Sequence, residues 1–179
     1  MNSRSFTPRK MVSMKYVIAL LAIAGLYVSS RALQIHYMDP AAAPPCAVSE
    51  HWDCGNVNHG KYAVFPPYPL ESDIDDNGQL RPATGLHVPV ALVGIIGYTL
   101  ILIAALVGRL RIVLELSRIG FFCAAFLSYI EAYIITKWCI YCVWSMAIIT
   151  TIMLLSIVAV LLKRRRRAES MVAVLAAED

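Results

Sequence analysis

Two cysteines three positions apart, Cys139-Ile-Tyr-Cys142, have the spacing in this sequence that most directly permits chemistry. A C-x-x-C at the start of a helix sets its first thiol beside backbone N–H groups that lack intrahelical partners. It also sits at the positive end of the helix dipole, which favours the thiolate. Two thiols so placed close a disulfide across one turn and open it again. A structural disulfide is the plainer alternative, but a one-turn loop restrains little chain. A metal half-site is a third reading, and redox chemistry is the leading one. A second pair, Cys46 and Cys54, encloses seven residues, a spacing that is not diagnostic by itself. His51 and His59 lie near it, yet the order Cys, His, Cys, His lacks the paired spacing of zinc sites, so no metal is expected. Two dithiols suggest a relay by thiol–disulfide exchange.

These residues must be positioned by very apolar elements. Of the 179 residues 59% are hydrophobic, aromatics included, and the mean hydropathy is +0.63. The apolar residues are bunched into four runs, from about Tyr16 to Leu33, Val88 to Val107, Ile119 to Thr136 and Trp138 to Leu162. Each is long enough, at about 1.5 Å per helical residue, for a hydrocarbon core about 30 Å thick. All four are expected to be transmembrane helices, since lipid leaves no other partner for backbone polar groups. A secretory signal peptide is an alternative for the first run, but Arg31 and Leu33 occupy the region a cleavage site would need, so a retained anchor is expected.

Charge sets the expected orientation. Twelve of the sixteen Lys and Arg fall on one side if the N-terminus is cytoplasmic, and Arg31, Lys61, Arg81 and Lys137 fall on the other. Both termini are therefore expected inside. The basic run Lys163 to Arg167 is read as the stop and anchor of the last helix, with attraction to anionic lipid headgroups following from the same physics. It is too small a basic surface for nucleic acid, and the net charge of +4 reports topology. The expected organisation is a cytoplasmic tail over 1–15, a transmembrane domain over 16–162 with an outer loop over about 34–87, and a basic cytoplasmic tail over 163–179.

Topology then sorts the cysteines. Cys46, Cys54, Cys139 and Cys142 share the outer, oxidising face. Cys123 lies sixteen residues before Cys139, roughly 24 Å along a helix, and is expected to be a small packing residue. Glu131 is the single charge in the third run. Such a residue is a functional candidate, supplying or accepting a proton, unless it merely reaches the interface. Tyr129 and Tyr133 are read as interfacial anchors, with ring contacts as the alternative. Asp73-Ile-Asp75-Asp-Asn77-Gly78 matches the opening of a calcium loop, but Thr84 replaces the closing Glu and Pro82 intrudes, so a plain turn is expected.

The run Trp138-Cys-Ile-Tyr-Cys-Val-Trp-Ser145, the upstream Cys46/Cys54 loop and Val88-Pro-Val-Ala-Leu-Val-Gly-Ile-Ile-Gly-Tyr98 together resemble the vitamin K epoxide reductase family, particularly its bacterial members. The resemblance covers roughly Lys15 to Leu162. It implies an all-α integral membrane four-helix bundle around a quinone of menaquinone or ubiquinone type, with a large extracytoplasmic loop between helices one and two. Cys46 would exchange with a thioredoxin-like (DsbA-type) partner, Cys54 would attack Cys139, and Cys142 would face the ring. Val90, Tyr98, Met146 and Glu131 are the expected quinone contacts. Met146 stands where animal relatives carry a tyrosine, and His59 and Gly60 stand where many relatives have serine. Those departures favour an ordinary quinone over vitamin K epoxide. Some relatives continue into a fused thioredoxin domain. Here the sequence ends about a dozen residues past the basic run, so the thiol partner is expected to be a separate protein.

The expectation is thus a thiol:quinone oxidoreductase of a bacterial inner membrane, its partners membrane lipid, membrane quinone and the thioredoxin-like protein, with no nucleic acid. The alternatives are a vitamin K quinone or epoxide reductase using the same thiols, and a non-catalytic metal-binding or structural membrane protein.

Overall fold

A computed structural model describes residues 8–39, 46, 49, 51–67 and 87–176. The calcium-like segment Asp73 to Gly78 lies outside the described residues. The chain is helical, with α1 at Pro8–His36, a short α2 at Cys54–His59, α3 at Val90–Leu106, α4 at Leu110–Ile130 and α5 at Ile140–Leu175. β1, Val64–Phe65, pairs antiparallel with β2, Val88–Pro89, and so returns the chain to the start of α3. The second apolar run therefore begins as strand, and its helix starts two residues later.

Each long helix packs on two others: α1 on α3 and α5, and α4 on α3 and α5. Where lipid tails are as apolar as the helices, close packing of small residues holds such an assembly together. Ala22, Gly25, Ser29 and Ala32 form the buried stripe of α1. Leu20, Ile23 and Tyr27 of the same helix point outward, as do Val93, Ile96, Leu100 and Ile103 of α3. Exposed apolar faces of this extent mark a surface that meets something other than water. Hydroxyls within the apolar helices bond their own backbone, as in Thr150 Oγ1 to the Met146 carbonyl at 2.7 Å and Ser156 Oγ to the Ile152 carbonyl at 2.7 Å.

Among the described residues, two helices are long and apolar enough to cross a membrane, Met14–His36 and Ile140–Met171. The other two runs differ from the expectation of four spans set by the apolar runs. α3 has 17 residues, about 26 Å. α4 begins nine residues before the third apolar run and carries Arg111, Glu115 and Arg118 in its first half. The basic run Lys163 to Arg167 does not stop α5, which continues to Leu175. Lys and Arg are good helix formers, and no Gly or Pro follows to end the helix.

The centre is closed by Tyr98. Its ring lies over Gly25 of α1, and its hydroxyl meets the Ser145 carbonyl and Oγ of α5, each at 3.0 Å. A β-carbon at position 25 would meet that ring. Gly25→Val should therefore displace Tyr98 and cost about 1–3 kcal/mol by overpacking. In detergent, the thermal unfolding midpoint should fall by about 2–4 °C for each kcal/mol.

Candidate functional site

The site begins with a loop folded back on a helix entry. Asp53 caps α2, its Oδ1 accepting from the Asn56 N–H at 3.0 Å. On either side of Trp138 the backbone forms an isolated parallel bridge with the loop. The Trp138 N–H donates to the His51 carbonyl at 2.8 Å, and the Asp53 N–H donates to the Trp138 carbonyl at 3.1 Å. Lys137 Nζ lies 3.2 Å from Asp53 Oδ2. These contacts press the first residue of α2, Cys54, against the residue preceding α5, Cys139. Both are fully buried in one apolar cluster with Ile35, Cys46 and Val57, against which Cys142 packs.

Cys46 and Cys54 are joined in a disulfide, while Cys139 and Cys142 are free thiols. Asn58, one turn after Cys54, donates from Nδ2 to the Cys54 carbonyl at 2.8 Å and reaches Cys139 Sγ at 3.5 Å. Its carbonyl meets His36 Nδ1 at 2.6 Å, which ties α2 to the end of α1. His59 faces two carbonyls, Gly55 at 2.9 Å from Nδ1 and Met38 at 3.1 Å from Nε2. With both loop sulfurs bonded to each other and both His59 nitrogens so engaged, the loop offers no Cys2His2 ligand set. No cluster of potential metal ligands occurs among the described residues.

Behind the dithiol the helical path loosens. α4 widens into a π-turn at Glu131–Ile135, which ends at Thr136 with φ 57°. A left-handed β-branched residue is uncommon, and π-turns recur at functional sites. This turn places Glu131 inward at 2% exposure, where its Oε2 accepts the Cys139 N–H at 3.1 Å. Glu131 and Cys142 both belong to the lining of one cavity.

Cys142 and Glu131 both face a cavity of about 260 Å³ walled mainly by α3 and α4, which touch each other least among the adjacent long helices. Val90 and Tyr98 line it as well. Met146 does not; Ser145 takes that place. Successive helical residues point about 100° apart, so a shift of one position moves a side chain off the wall. Cys123, expected only to pack, is a free thiol on the α4 wall. Tyr129 and Tyr133 are absent from the lining; their rings stack at 4.9 Å on the outside.

Over residues 16–157 the sequence matches the vitamin K epoxide reductase family. The chain belongs to that family. No curated protein matches it closely enough to count as a relative. Family membership makes it a membrane oxidoreductase that uses thiols to reduce a quinone or its epoxide. The cavity fits such a ligand. It is mostly apolar, it has a few polar groups in Asn58, Glu131 and Ser145, and it has a thiol, Cys142, on its wall. Its volume of about 260 Å³ lies just below the usual range of small-molecule sites, of order 300–1,000 Å³. An added β-carbon at Gly97 would meet nothing within 4 Å, so the α3 wall leaves room beside Tyr98.

The Asp53 clamp carries a pH dependence. The Asn56 N–H, aided by the Lys137 ammonium, holds the Asp53 carboxyl below its ordinary value of 3.8, against the opposing effect of partial burial. A depressed carboxyl pKa contributes stability above the unfolded value, and that contribution is lost as pH falls through the folded one. Docking of α2 should loosen below about pH 3.8, read as faster amide hydrogen exchange at Asn56 and Val57. Asp53→Asn should keep the cap and remove this acid dependence.

Proposed function

We propose that the protein is a thiol:quinone oxidoreductase supporting disulfide formation outside the cytoplasm, built as a four-helix transmembrane bundle with both termini inside a bacterial plasma membrane. The observation that carries the reading is the continuous path from the loop disulfide, through the buried Cys54 and Cys139, to Cys142 on the wall of an apolar cavity. Orientation is supported by the gathering of Arg109, Arg111, Lys163, Arg164 and Arg167 at the far end of the helices from the cysteines.

The steps balance as two-electron exchanges. A reduced thioredoxin-like (DsbA-type) partner attacks the Cys46–Cys54 disulfide at Cys46, the residue of the pair that is 7% exposed while Cys54 is fully buried. The partner leaves oxidised, and Cys46 and Cys54 become thiols. Cys54 then attacks Cys139 of a Cys139–Cys142 disulfide and releases the Cys142 thiolate. Attack by Cys46 on Cys54 restores the loop disulfide and frees Cys139. Cys139 and Cys142 re-form their disulfide, and a quinone of menaquinone or ubiquinone type held in the cavity would supply the acceptor for the two electrons and two protons. Glu131 holds the Cys139 N–H and takes the proton leaving Cys142. Val90 and Tyr98, which line the cavity, would hold the quinone.

Purified protein given a reduced thioredoxin-like substrate and a soluble quinone analogue should reduce the quinone, followed by absorbance. Cys139→Ala and Cys142→Ala should each abolish turnover. Equal rates in parent and Cys139→Ala would refute the enzymatic reading. A parallel reaction with vitamin K epoxide distinguishes the epoxide reductase, which predicts turnover of the epoxide.

Glu131→Gln keeps a side-chain acceptor for the Cys139 N–H and loses the titrating group. It should lower kcat by about 10²-fold and remove one limb of the pH–rate profile while KM for quinone stays. An unchanged profile would assign Glu131 a purely structural part.

A further inference from the structure

At the end of the helices remote from the cysteines, α3 turns into α4 through Gly108, whose φ of +76° suits a residue without a side chain. The turn is held by the Gly108 N–H to the Ala105 carbonyl at 3.0 Å and the Arg109 N–H to the Ala104 carbonyl at 2.9 Å. It therefore presents Arg109 and Arg111 in a fixed direction, toward the part of α5 that carries Lys163, Arg164 and Arg167. Between them lies a second concavity, of about 390 Å³, with these five cations on its rim and the buried Leu110 and Val160 as its floor.

Among the described residues no carboxylate lines this concavity. Among the described residues the ion pairs are Arg118 with Glu115 and Lys137 with Asp53, so Glu115, the acid of α4, is already engaged elsewhere. Glu169 on α5 is exposed and is not part of the lining. Lys163 and Arg167 are one turn apart on the same helix, an arrangement in which like charges repel. Five positive groups converging on one hollow raise a potential that an anion with several oxygens offsets, and Arg is suited to phosphate by its planar set of donors.

We propose that this hollow binds the phosphate group of an anionic phospholipid. A lipid, rather than a soluble phosphate, is favoured by what borders the hollow. Val107 and Ile112, flanking the turn, and Leu161 on α5 are exposed apolar residues beside the cationic rim. The headgroup sits among the cations and the acyl chains run along those side chains. The site is independent of the thiol chemistry at the other end.

Native mass spectrometry of the full chain in mixed micelles tests this, with phosphatidylglycerol and phosphatidylcholine supplied in equal amounts. The parent should retain phosphatidylglycerol with a preference on the order of tenfold. Arg109→Gln with Arg164→Gln should reduce that preference to near parity, with helical content and thiol–quinone turnover kept. Arg165→Gln with Arg166→Gln removes equal charge from residues that do not line the hollow and should leave the preference intact. Should the first pair fail to fold, Lys163→Gln with Arg167→Gln, both exposed on the same rim, carries the same expectation. Equal retention of the two lipids by the parent overturns the proposal. So does equal loss in both charge-removed pairs, which would report diffuse attraction only. Inorganic phosphate displacing the lipid-protected state as effectively as phosphatidylglycerol would assign the hollow to a soluble anion and overturn it too.

Discussion

Two backbone hydrogen bonds around Trp138, to the His51 carbonyl and from the Asp53 N–H, are the constraint on which the site depends. A six-residue helix has little stability of its own, because nucleation is unfavourable and few bonds follow it. α2 therefore owes its place to what it is tied to. The Asp53 cap satisfies one of its free N–H groups, Lys137 steadies the cap, and Asn58 and His36 tie its far end to α1. Remove the bridge and Cys54 loses its place against Cys139, although every cysteine remains.

Glu131 follows from the same junction. A buried carboxylate is costly unless it is hydrogen-bonded, and the N–H groups at the start of a helix have no intrahelical partners. The π-turn brings these two deficits together, so that the carboxylate accepts from Cys139 at the entry of α5. An acidic group near that end of a long helix also lies in a favourable field of its dipole. The loosened backbone between α4 and α5 is thus the element that lets a carboxylate stand beside a dithiol in an otherwise apolar interior.

The dithiol was legible in the sequence because its signal is local: Cys139 immediately precedes Ile140, the first residue of α5. The loop pair was legible as a pair, and the helical membrane class followed from apolar runs. Helix limits were not, because an apolar run measures hydropathy while α4 and α5 extend through charged residues that favour helix. Asn58 was missed although its position four residues after Cys54 is the spacing that aligns side chains on a helix. α2 lacks an apolar pattern that would have announced a helix there. The Trp138 bridge has no side-chain signature, since it joins main-chain groups more than eighty positions apart. Met146 was placed on the cavity wall from a resemblance of position, and its neighbour Ser145 holds the wall because Tyr98 packs against that face of α5.

Burial also gives the proposed relay its direction. In that proposal a soluble partner meets Cys46 first, since Cys46 keeps a small exposure while Cys54 and Cys139 are fully buried. Cys139 is fully buried in one cluster with Cys54 and Val57 of α2, so in the proposed relay the packing that holds α2 in place hinders direct reduction of the helix pair by a soluble thiol. On the far side, Cys142 opens onto a cavity whose lining is apolar, a surface suited to a lipophilic acceptor and poor for a soluble thiol. In the proposed relay the slightly accessible Cys46 would meet protein thiols, Cys142 on the cavity wall would meet quinone, and the buried cluster that holds Cys54 and Cys139 would join the two couples.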